Sequence, residues 1–184
     1  MVYLNRLYTR SGDGGETALG NGQRVRKTNQ RIVAMAAVDE TNAAIGLALS
    51  GVSDRHLAQQ LQLLQNDLFE LGAELCLPDA PPRVRAPRIS QLEELIDAAT
   101  EQRPPLTSFI LPGGSPTSAA LHLARTIARR AEIEVLRLGE SEPLKAQLTI
   151  YLNRLSDLLF ALARLANQAD QPEPQWTPGQ NRVE

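Results

Sequence analysis

The stretch LAQQLQLLQNDLFELGAEL, residues 57–75, carries leucines at the spacing of one face of an α-helix. Intervals of three and four residues separate them, and a helix that turns every 3.6 residues places them all on one stripe. Such a stripe needs a matching apolar face on other helices, so it predicts a helical bundle. The leucines of the stripe are Leu57, Leu61, Leu64, Leu68, Leu71 and Leu75.

The first two predicted helices have clear start and stop signals. Apolar residues at helical spacing run over about residues 30–49, and Gly51 follows them as a stop. Ser53 or Asp54 can then cap the leucine-striped helix. That helix must end before LPDAPPRVRAP, residues 77–87, because its four prolines lack the backbone N–H that a helix interior requires.

Three further helices are predicted from serines and prolines at their starts. Ser90 is followed three residues later by a glutamate, which is the capping-box pattern. Ser115 precedes Pro116, a cap residue followed by a proline at the first helical position. Ser141 and Pro143 give a similar signal for the last helix. The predicted spans are about 91–102, 116–138 and 143–168.

The rest of the chain is polar and lacks a sustained apolar period. Residues 1–28 are rich in glycine, arginine, asparagine and threonine, with a short extended start expected at Val2–Leu4. TSFIL, residues 107–111, is a second candidate for an extended segment. Residues 170–184 are proline-rich, and we expect them to be disordered or draped over the surface. The sequence therefore predicts an all-α protein with a five-helix bundle over residues 29–169.

Charge and cysteine content exclude several functional classes. The 184-residue chain has 19 basic and 21 acidic side chains and a net charge of −2, whereas a general nucleic-acid binder carries a basic excess. The single cysteine, Cys76, allows neither an intrachain disulfide nor a cysteine-built zinc site. The sequence has no unbroken apolar run of about 20 residues, and its start lacks the apolar core of a signal peptide. We therefore expect a cytoplasmic protein without a membrane or nucleic-acid partner.

The stretch YTRSGDGGETAL, residues 8–19, has the composition of a ligand-binding loop. Its glycines allow close approach to a phosphate, and Thr9, Ser11 and Thr17 supply hydroxyl groups. It lacks the Gly-Lys-Ser/Thr ending of a P-loop, so a mobile glycine-rich terminus is the competing interpretation. Lys27 lies just before the first helix, where its ammonium is either an ordinary solvated charge or a phosphate ligand.

Three arginines interrupt the fourth predicted helix within LHLARTIARRAE, residues 121–132. Arg125 and Arg129 are four residues apart, so a helix places these like charges on one face, beside Arg130. Planar guanidinium groups bind the oxygens of a triphosphate through paired hydrogen bonds. A structural network with neighbouring glutamates is the alternative, and the helix by itself does not decide between the two.

Polar residues also interrupt two other predicted helices. Asp39 and Asn42 share a face among apolar neighbours, so we expect them to be buried and the carboxylate to have a partner. Asn153 and Asp157 lie one turn apart in the last helix, where a polar patch at a subunit interface is an equal alternative to a binding site. Phe109, alone in a loop, is expected to pack in the core.

Neither histidine of the chain fits a Ser–His–Asp triad, because neither lies in the context of a nucleophile. His122 lies in the fourth predicted helix, and we expect it at the helix surface or at an interface. A histidine base is therefore not predicted.

Taken in order, four stretches of this sequence resemble the ATP:cob(I)alamin adenosyltransferases of the propanediol-utilisation type. The similarity spans residues 8 to about 164, with similar order and spacing of the motifs. It leaves the tail and the region around the second and third helices weakly constrained. The resembling stretches are YTRSGDGGET, VRKTNQRIVAMAAVDETNAAIG, FILPGGSPTSAALHLARTIARRAE and YLNRLSDLLF.

The resemblance implies an all-α, ferritin-like five-helix bundle that assembles as a homotrimer, with ATP bound between neighbouring subunits. Residues 1–28 would supply a loop over ATP. Ala18 stands where relatives can carry a hydroxyl group, so only its backbone can make that contact. The implied ATP-binding residues are Thr9, Arg10, Ser11, Gly12, Thr17, Ala18, Lys27, Arg129, Arg130, Ala131, Glu132, Ile133 and Asn153.

The resemblance also implies a reaction, in which cobalt(I) of the corrin attacks C5′ of ATP and triphosphate leaves. Arginines and a lysine would stabilise the charge of the leaving group, and Mg²⁺ would arrive with ATP on its phosphate oxygens. Arg125 would pair with Asp39 of an adjacent subunit. Phe109 would occupy the lower face of the corrin, displace the axial ligand there and make cobalt(II) reducible. The predicted catalytic residues are therefore Asp39, Phe109, Arg125 and Arg129.

Two other functions compete with the adenosyltransferase. A nucleotide- or cobalamin-binding chaperone or sensor would keep the binding sites without turnover. A helical trimer whose polar clusters are only interface ion pairs would bind neither ligand. The partners expected for the enzyme are a cob(II)alamin reductase and an adenosylcobalamin-dependent client enzyme.

Overall fold

The computed structural model describes residues 8–167 and 173–180 and contains five helices in that part of the chain. The prediction of an all-α five-helix bundle is confirmed. The stretch Val2–Leu4 and the predicted helix end at Gln168 lie outside the described residues. The helices are α1 (Gln30–Leu49), α2 (Arg55–Cys76), α3 (Ala86–Glu101), α4 (Pro116–Gly139) and α5 (Ala146–Leu165).

The helices pack in the lateral order α2, α1, α4, α5 and α3. The α4 helix lies between α1 and α5, and small side chains on its inner face let these helices approach closely. Ala124, Ala128 and Ala131 of α4 have no exposed surface. The stripe of α2 faces the core as predicted, with five leucines at most 1% exposed: Leu61, Leu64, Leu68, Leu71 and Leu75.

Local capping signals set two helix starts as predicted. The Asp54 side chain accepts a hydrogen bond from the Leu57 N–H (2.6 Å) at the start of α2. The Ser115 side chain accepts one from the Ser118 N–H (3.1 Å), and Pro116 follows in the first turn of α4. These bonds join residues three apart, so the sequence specifies them without help from the rest of the fold.

Two predicted helix starts are wrong. The α3 helix begins at Ala86 and not after Ser90, because Pro87 is tolerated in a first turn, where its missing N–H has no partner to lose. The α5 helix begins at Ala146, several residues later than predicted. The Ser141 hydroxyl, predicted to help start α5, instead donates to a carbonyl in the last turn of α4 (3.2 Å).

A β-hairpin precedes the bundle, within the segment predicted as a polar loop. Strand β1 (Glu16–Ala18) pairs antiparallel with β2 (Arg24–Arg26). Gly22 has φ 84° in the connecting turn, a conformation that favours glycine. Each strand is three residues long and mostly exposed, so the sequence carries no alternating apolar pattern that would reveal it.

Part of TSFIL is extended, as predicted. Ile110 forms an isolated antiparallel bridge with Gln175 of the tail. This contact joins the loop between α3 and α4 to residues that follow α5.

The α1 helix has the length and the mean hydropathy (1.5) of a membrane-spanning helix, although polar residues interrupt it. Ala34, Ile45 and Ala48 of this helix are at most 1% exposed and belong to the core. Since α2 and α4 pack on either side of it, α1 is a core helix of the bundle.

Candidate functional site

The glycine-rich loop before the hairpin is closed on itself by backbone hydrogen bonds. Gly15 N–H donates to the Gly12 carbonyl (3.2 Å), and Lys27 N–H donates to the Gly15 carbonyl (2.8 Å). The Lys27 ammonium lies against the loop, because a Cβ at Gly12 would be 3.2 Å from Lys27 Nζ. Arg10 has φ 63°, a strained value for a residue other than glycine. The loop thus brings Gly12 and Lys27 together, while the Arg10 guanidinium lies over the Tyr8 ring at 5.9 Å.

Hydroxyl groups of the same loop lie close to one another. Thr9 Oγ1 and Ser11 Oγ are 2.7 Å apart and hydrogen-bonded. The Ser11 carbonyl accepts from Arg24 Nη2 (3.0 Å), which ties the loop to β2. Thr17 and Ala18 lie in β1, and Thr17 is half-buried opposite Val25. Thr9 and Ser11 are accessible for a ligand on the outer side of this loop.

Arg125 and Arg129 share a face of α4, as predicted, and differ in exposure. The Arg125 guanidinium lies 5.6 Å from the centroid of the Phe160 ring on α5, in cation–π contact. Its Nε is buried without a hydrogen-bond acceptor among the described residues. Burial, and then the neighbouring Arg129 charge, lower the pKa of Arg125. Arg129 is exposed, and within residues 8–167 and 173–180 it forms no ion pair.

Arg130 forms an ion pair with Glu40 of α1. Both side chains are about half exposed, so the pair contributes little to stability and can exchange for a ligand. The sequence left open whether these arginines form a structural ion-pair network or a phosphate site. Arg130 does form a structural ion pair, whereas Arg125 and Arg129 form none within the described chain.

The expectation that Asp39 is buried is wrong. Asp39 is exposed, whereas Asn42 is 6% exposed and its side-chain amide donates to the Gln65 carbonyl (3.0 Å). The two residues lie only about 60° apart around α1, but Asn42 is on the side that α2 covers and Asp39 is at the edge of that face, in solvent. Asp39 and Arg125 form no ion pair with each other inside the described chain.

The remaining predicted ATP contacts lie on α4 and α5. Ala131 has no exposed surface, Glu132 is half-buried and Ile133 is 49% exposed. On α5, the Asn153 Oδ1 accepts a hydrogen bond from Arg154 Nη1 (2.7 Å). Only Glu132, Ile133 and Asn153 of these present side-chain atoms at the surface, so Ala131 serves the packing of α4.

The expectation that Phe109 packs in the core is wrong, because its side chain is 78% exposed. Its ring lies 6.2 Å from the ring of Trp176, edge to face. The loop carries it outside the bundle because the neighbouring Ile110 is held in the bridge to the tail.

His122 lies inside the bundle, and the expectation of a surface or interface position is wrong. It is 2% exposed, and its ring meets the Phe160 ring edge to face at 5.9 Å. Its Nδ1 has no hydrogen-bond partner among the described residues. Burial and the charge of Arg125 lower the pKa of His122, while the Glu173 carboxylate opposes them. His122 and Phe160, which were not predicted as site residues, thus lie directly behind Arg125.

Several grooves indent the surface of the described bundle, and two of them are large. One of about 400 Å³ lies between α3 and α5 and is lined in part by Arg103, Asp157, Phe160 and Arg164. The Phe160 ring that lines this groove is the ring that contacts Arg125. A larger groove of about 640 Å³, near Gly51, is lined by none of the predicted site residues. In the part of the chain that the structure describes, no three His, Cys, Asp or Glu side chains cluster as metal ligands.

A sequence model of the family described as cobalamin adenosyltransferase matches residues 7–166. The chain belongs to the cobalamin adenosyltransferase family. A relative, a corrinoid adenosyltransferase of Mycobacterium leprae, is 46% identical over 190 residues, which cover 97% of this chain and 98% of the relative. A cobalamin adenosyltransferase of Cupriavidus metallidurans is 45% identical over 167 residues, 90% of each chain.

Solved structures of cobalamin adenosyltransferases share the fold. A variant of a PduO-type ATP:corrinoid adenosyltransferase from Lactobacillus reuteri, complexed with cobalamin and ATP, has a TM-score of 0.89 and 35% identity over 93% of this chain and 99% of that one. Another variant from the same organism, complexed with ATP, has a TM-score of 0.88 and 36% identity over 93% and 100% of the two chains.

Within this member of the cobalamin adenosyltransferase family, the predicted ATP-binding residues form two groups. The loop and Lys27 form one, and the outer faces of α4 and α5 form the other. Gln30 links them, because its Nε2 donates to the Glu134 carbonyl (2.9 Å), one turn of α4 beyond Arg130.

Proposed function

We propose that this chain transfers the 5′-deoxyadenosyl group of ATP to cob(I)alamin, giving adenosylcobalamin and triphosphate. The observation that carries the proposal is the 46% identity, over 97% of the chain, to a corrinoid adenosyltransferase. A structural relative binds both cobalamin and ATP. The arginines of α4 and the lysine at the glycine loop supply charges that this chemistry requires.

The reaction is a displacement at C5′ of ATP. The cobalt(I) electron pair forms the Co–C5′ bond, and the C5′–O bond breaks with its electron pair remaining on the triphosphate oxygen. Because cobalt(I) is the nucleophile and carries no proton, the reaction needs no protein base. This fits His122, which is buried behind Arg125 and has no access to a substrate proton.

The protein contributes charge and position to this step. Lys27 and Arg129 bind the triphosphate, and their positive charges stabilise the negative charge that develops on the leaving group. Arg130 joins them by exchanging Glu40 for a phosphate oxygen. Mg²⁺ arrives with ATP on its phosphate oxygens. The other proposed ATP-binding residues are Thr9, Arg10, Ser11, Gly12, Thr17, Ala18, Glu132, Ile133 and Asn153; the buried Ala131 supports them through the packing of α4.

The site is completed in a cytoplasmic homotrimer, with ATP between neighbouring subunits. The exposed Asp39 carboxylate of one subunit pairs with Arg125 of the next. In favour of this pairing, the buried Arg125 Nε lacks an acceptor within the described chain, and a buried donor of this kind is costly to leave unpaired.

Phe109 provides an apolar surface for the lower face of the corrin. An exposed aromatic ring in a loop can take the place of the lower axial ligand, which makes cobalt(II) easier to reduce. The proposed electron donor is a flavoprotein cob(II)alamin reductase, and the product passes to an adenosylcobalamin-dependent client enzyme.

The direct test is incubation of the protein with ATP, Mg²⁺ and chemically reduced cobalamin. We expect adenosylcobalamin and free triphosphate in equal amounts, followed by absorbance and by phosphate chromatography. Binding of both ligands without turnover would instead indicate a chaperone or sensor. Absence of binding would indicate that the polar clusters serve only subunit contacts.

Substitution of Arg129 tests the proposed triphosphate site. We expect Arg129→Ala to lower kcat/KM by about 100-fold, the usual effect of removing one charged donor from a developing anion. Arg137→Ala is the matched control, because Arg137 lies on the same helix and pairs with Glu134 (2.7 Å). Gel filtration verifies that both variants assemble as the parent does, and near-parent kinetics of Arg129→Ala would exclude the phosphate role.

A further inference from the structure

The tail segment 173–176 runs antiparallel along the loop that carries Phe109. Trp176 N–H donates to the Phe109 carbonyl (2.7 Å), and Leu111 N–H donates to the Pro174 carbonyl (2.7 Å). The Ser108 hydroxyl donates to the Trp176 carbonyl (3.1 Å). Three hydrogen bonds therefore fix the backbone on both sides of Phe109.

A buried ion pair anchors this tail segment to the bundle. Arg164 of α5 donates from Nε to Glu173 Oε1 (3.0 Å) and from Nη2 to Glu173 Oε2 (3.0 Å). The side chains of Arg164 and Glu173 are 7% and 11% exposed. Arg164 Nη2 also donates to the Pro104 carbonyl (2.9 Å), at the start of the same loop. Because both charges are removed from water, loss of either partner would leave the other charge buried and unpaired, which is strongly unfavourable.

Trp176 fixes the ring of Phe109 as well as its backbone. The two rings meet edge to face at 6.2 Å, with an interplanar angle of 63°. An exposed phenylalanine on an unsupported loop samples several side-chain rotamers and several backbone conformations. Its ring therefore spends only part of the time in any one position. The contact with Trp176 removes part of this freedom before any ligand binds.

We propose that Trp176, anchored through Glu173 and Arg164, is a positioning residue that pre-orients Phe109 against the lower face of the corrin. This inference rests on the proposed function and adds residues outside the stretches that resemble the family. Trp176 acts through Phe109 and not on ATP. Its loss therefore affects the step that requires displacement of the lower axial ligand, which is the reduction of cobalt(II).

The experiment compares turnover from two starting states of cobalamin. One assay starts from cob(II)alamin with a reducing flavoprotein, and the other from chemically prepared cob(I)alamin. We expect Trp176→Ala to lower the first rate about tenfold and to change the second less than about twofold. Trp176→Phe, which keeps an aromatic edge, restores most of the lost rate. Glu173→Gln weakens the anchor. Like Trp176→Ala, it should lower the rate from cob(II)alamin more than the rate from cob(I)alamin.

The coordination state of cobalt(II) gives a readout that a merely structural role would not move. With ATP bound, electron paramagnetic resonance separates cob(II)alamin that has lost its lower axial ligand from cob(II)alamin that retains it. We expect the first fraction to fall in Trp176→Ala and to be unchanged in the control Gln175→Ala. Gln175 is the exposed neighbour that contributes its backbone to the bridge.

The outcomes separate this inference from the function on which it rests. If the parent protein forms no adenosylcobalamin from cob(I)alamin, the proposed function fails whatever the tail does. If the parent turns over and Trp176→Ala matches it in both assays, only the role of Trp176 is overturned. Equal losses in the two assays, with an unchanged resonance spectrum, overturn it as well.

Discussion

Tyr151 places one hydroxyl group inside the bundle, where three helices meet. Its O–H donates to Asp67 Oδ2 (2.7 Å), and Arg88 Nε donates to the same oxygen (2.7 Å). Burial, followed by the neighbouring Asp67 carboxylate, raises the pKa of Tyr151 well above 10. The hydroxyl group therefore remains a donor that ties α5 to α2, while Arg88 ties α3 to the same carboxylate.

Tyr151→Phe removes that donor and leaves the ring in place. We expect the free energy of unfolding to fall by about 1.5–3 kcal/mol, the usual contribution of a hydrogen bond to a charged group. Urea denaturation measures the loss. Tyr8→Phe is the control, because Tyr8 is 65% exposed, and it should change stability by less than about 0.5 kcal/mol. Equal effects of the two substitutions would contradict a special role for the buried hydroxyl.

His122 makes stability depend on pH. Its pKa is lowered below 6.5 in the folded protein, so the unfolded chain binds the proton more readily. The corresponding stability is present above pH 6.5 and is lost as the pH falls through the folded-state pKa. In urea denaturation between pH 5 and 8, His122→Gln should reduce the slope of unfolding free energy against pH. His56→Gln, at an exposed histidine, is the matched control, and an equal reduction of the slope by both substitutions would contradict the role of His122.

At single positions, the sequence predicted residue chemistry better than residue exposure. It placed Arg125 and Arg129 on one face because that follows from helical spacing alone. The errors at Asp39, Phe109 and His122 have one cause. The exposure of each residue depends on which face of its helix or loop packs against a distant part of the chain. Local sequence does not specify that packing.

Helix starts show the same division between local and distant causes. The Asp54 carboxylate caps α2 by a bond to a residue three positions away, and the sequence predicted this start correctly. The start of α3 was wrong because the predicted capping residue, Ser90, lies within the helix. The hairpin was missed because its strands are short and exposed, so their pairing leaves no periodic pattern.

Alanine substitutions at Asp54 and Ser90 measure this difference. We expect Asp54→Ala to lower the free energy of unfolding by about 1 kcal/mol, because a backbone N–H of α2 loses its acceptor. Ser90→Ala should leave stability unchanged or raise it by a few tenths of a kcal/mol, because alanine has the higher propensity for a helix interior. A loss of similar size at Ser90 would mean that α3 begins at the predicted capping box after all. Urea denaturation measures both.

At the scale of the whole molecule, the sequence predicted the helical bundle but carried no local signal for the assembly of subunits. The predicted bundle needed only apolar stripes and helix ends. The proposed homotrimer rests on the family resemblance, because nothing in a single sequence specifies which exposed side chains meet those of another copy. The Asp39 carboxylate and the Arg125 guanidinium are where that assembly is most directly tested.

Reversal of charge at these two positions tests the proposed contact between subunits. If the proposed trimer forms through this contact, Asp39→Arg and Arg125→Asp should each raise its dissociation constant by about tenfold or more, which corresponds to about 1.4 kcal/mol. The double variant should recover part of the loss, since the charges again attract. Light scattering over a dilution series measures assembly. Additive losses in the double variant would show that the two residues do not meet.

The position of α1 between α2 and α4 has a consequence for synthesis of the chain. The α2 helix follows α1 directly and can cover one side of it early, but α4 begins only at Pro116, more than 60 residues after α1 ends at Leu49. Until then, an apolar helix with the hydropathy of a membrane span has one side uncovered on the ribosome. The nascent chain is therefore most exposed to aggregation and to chaperone capture in the interval between the emergence of α1 and that of α4.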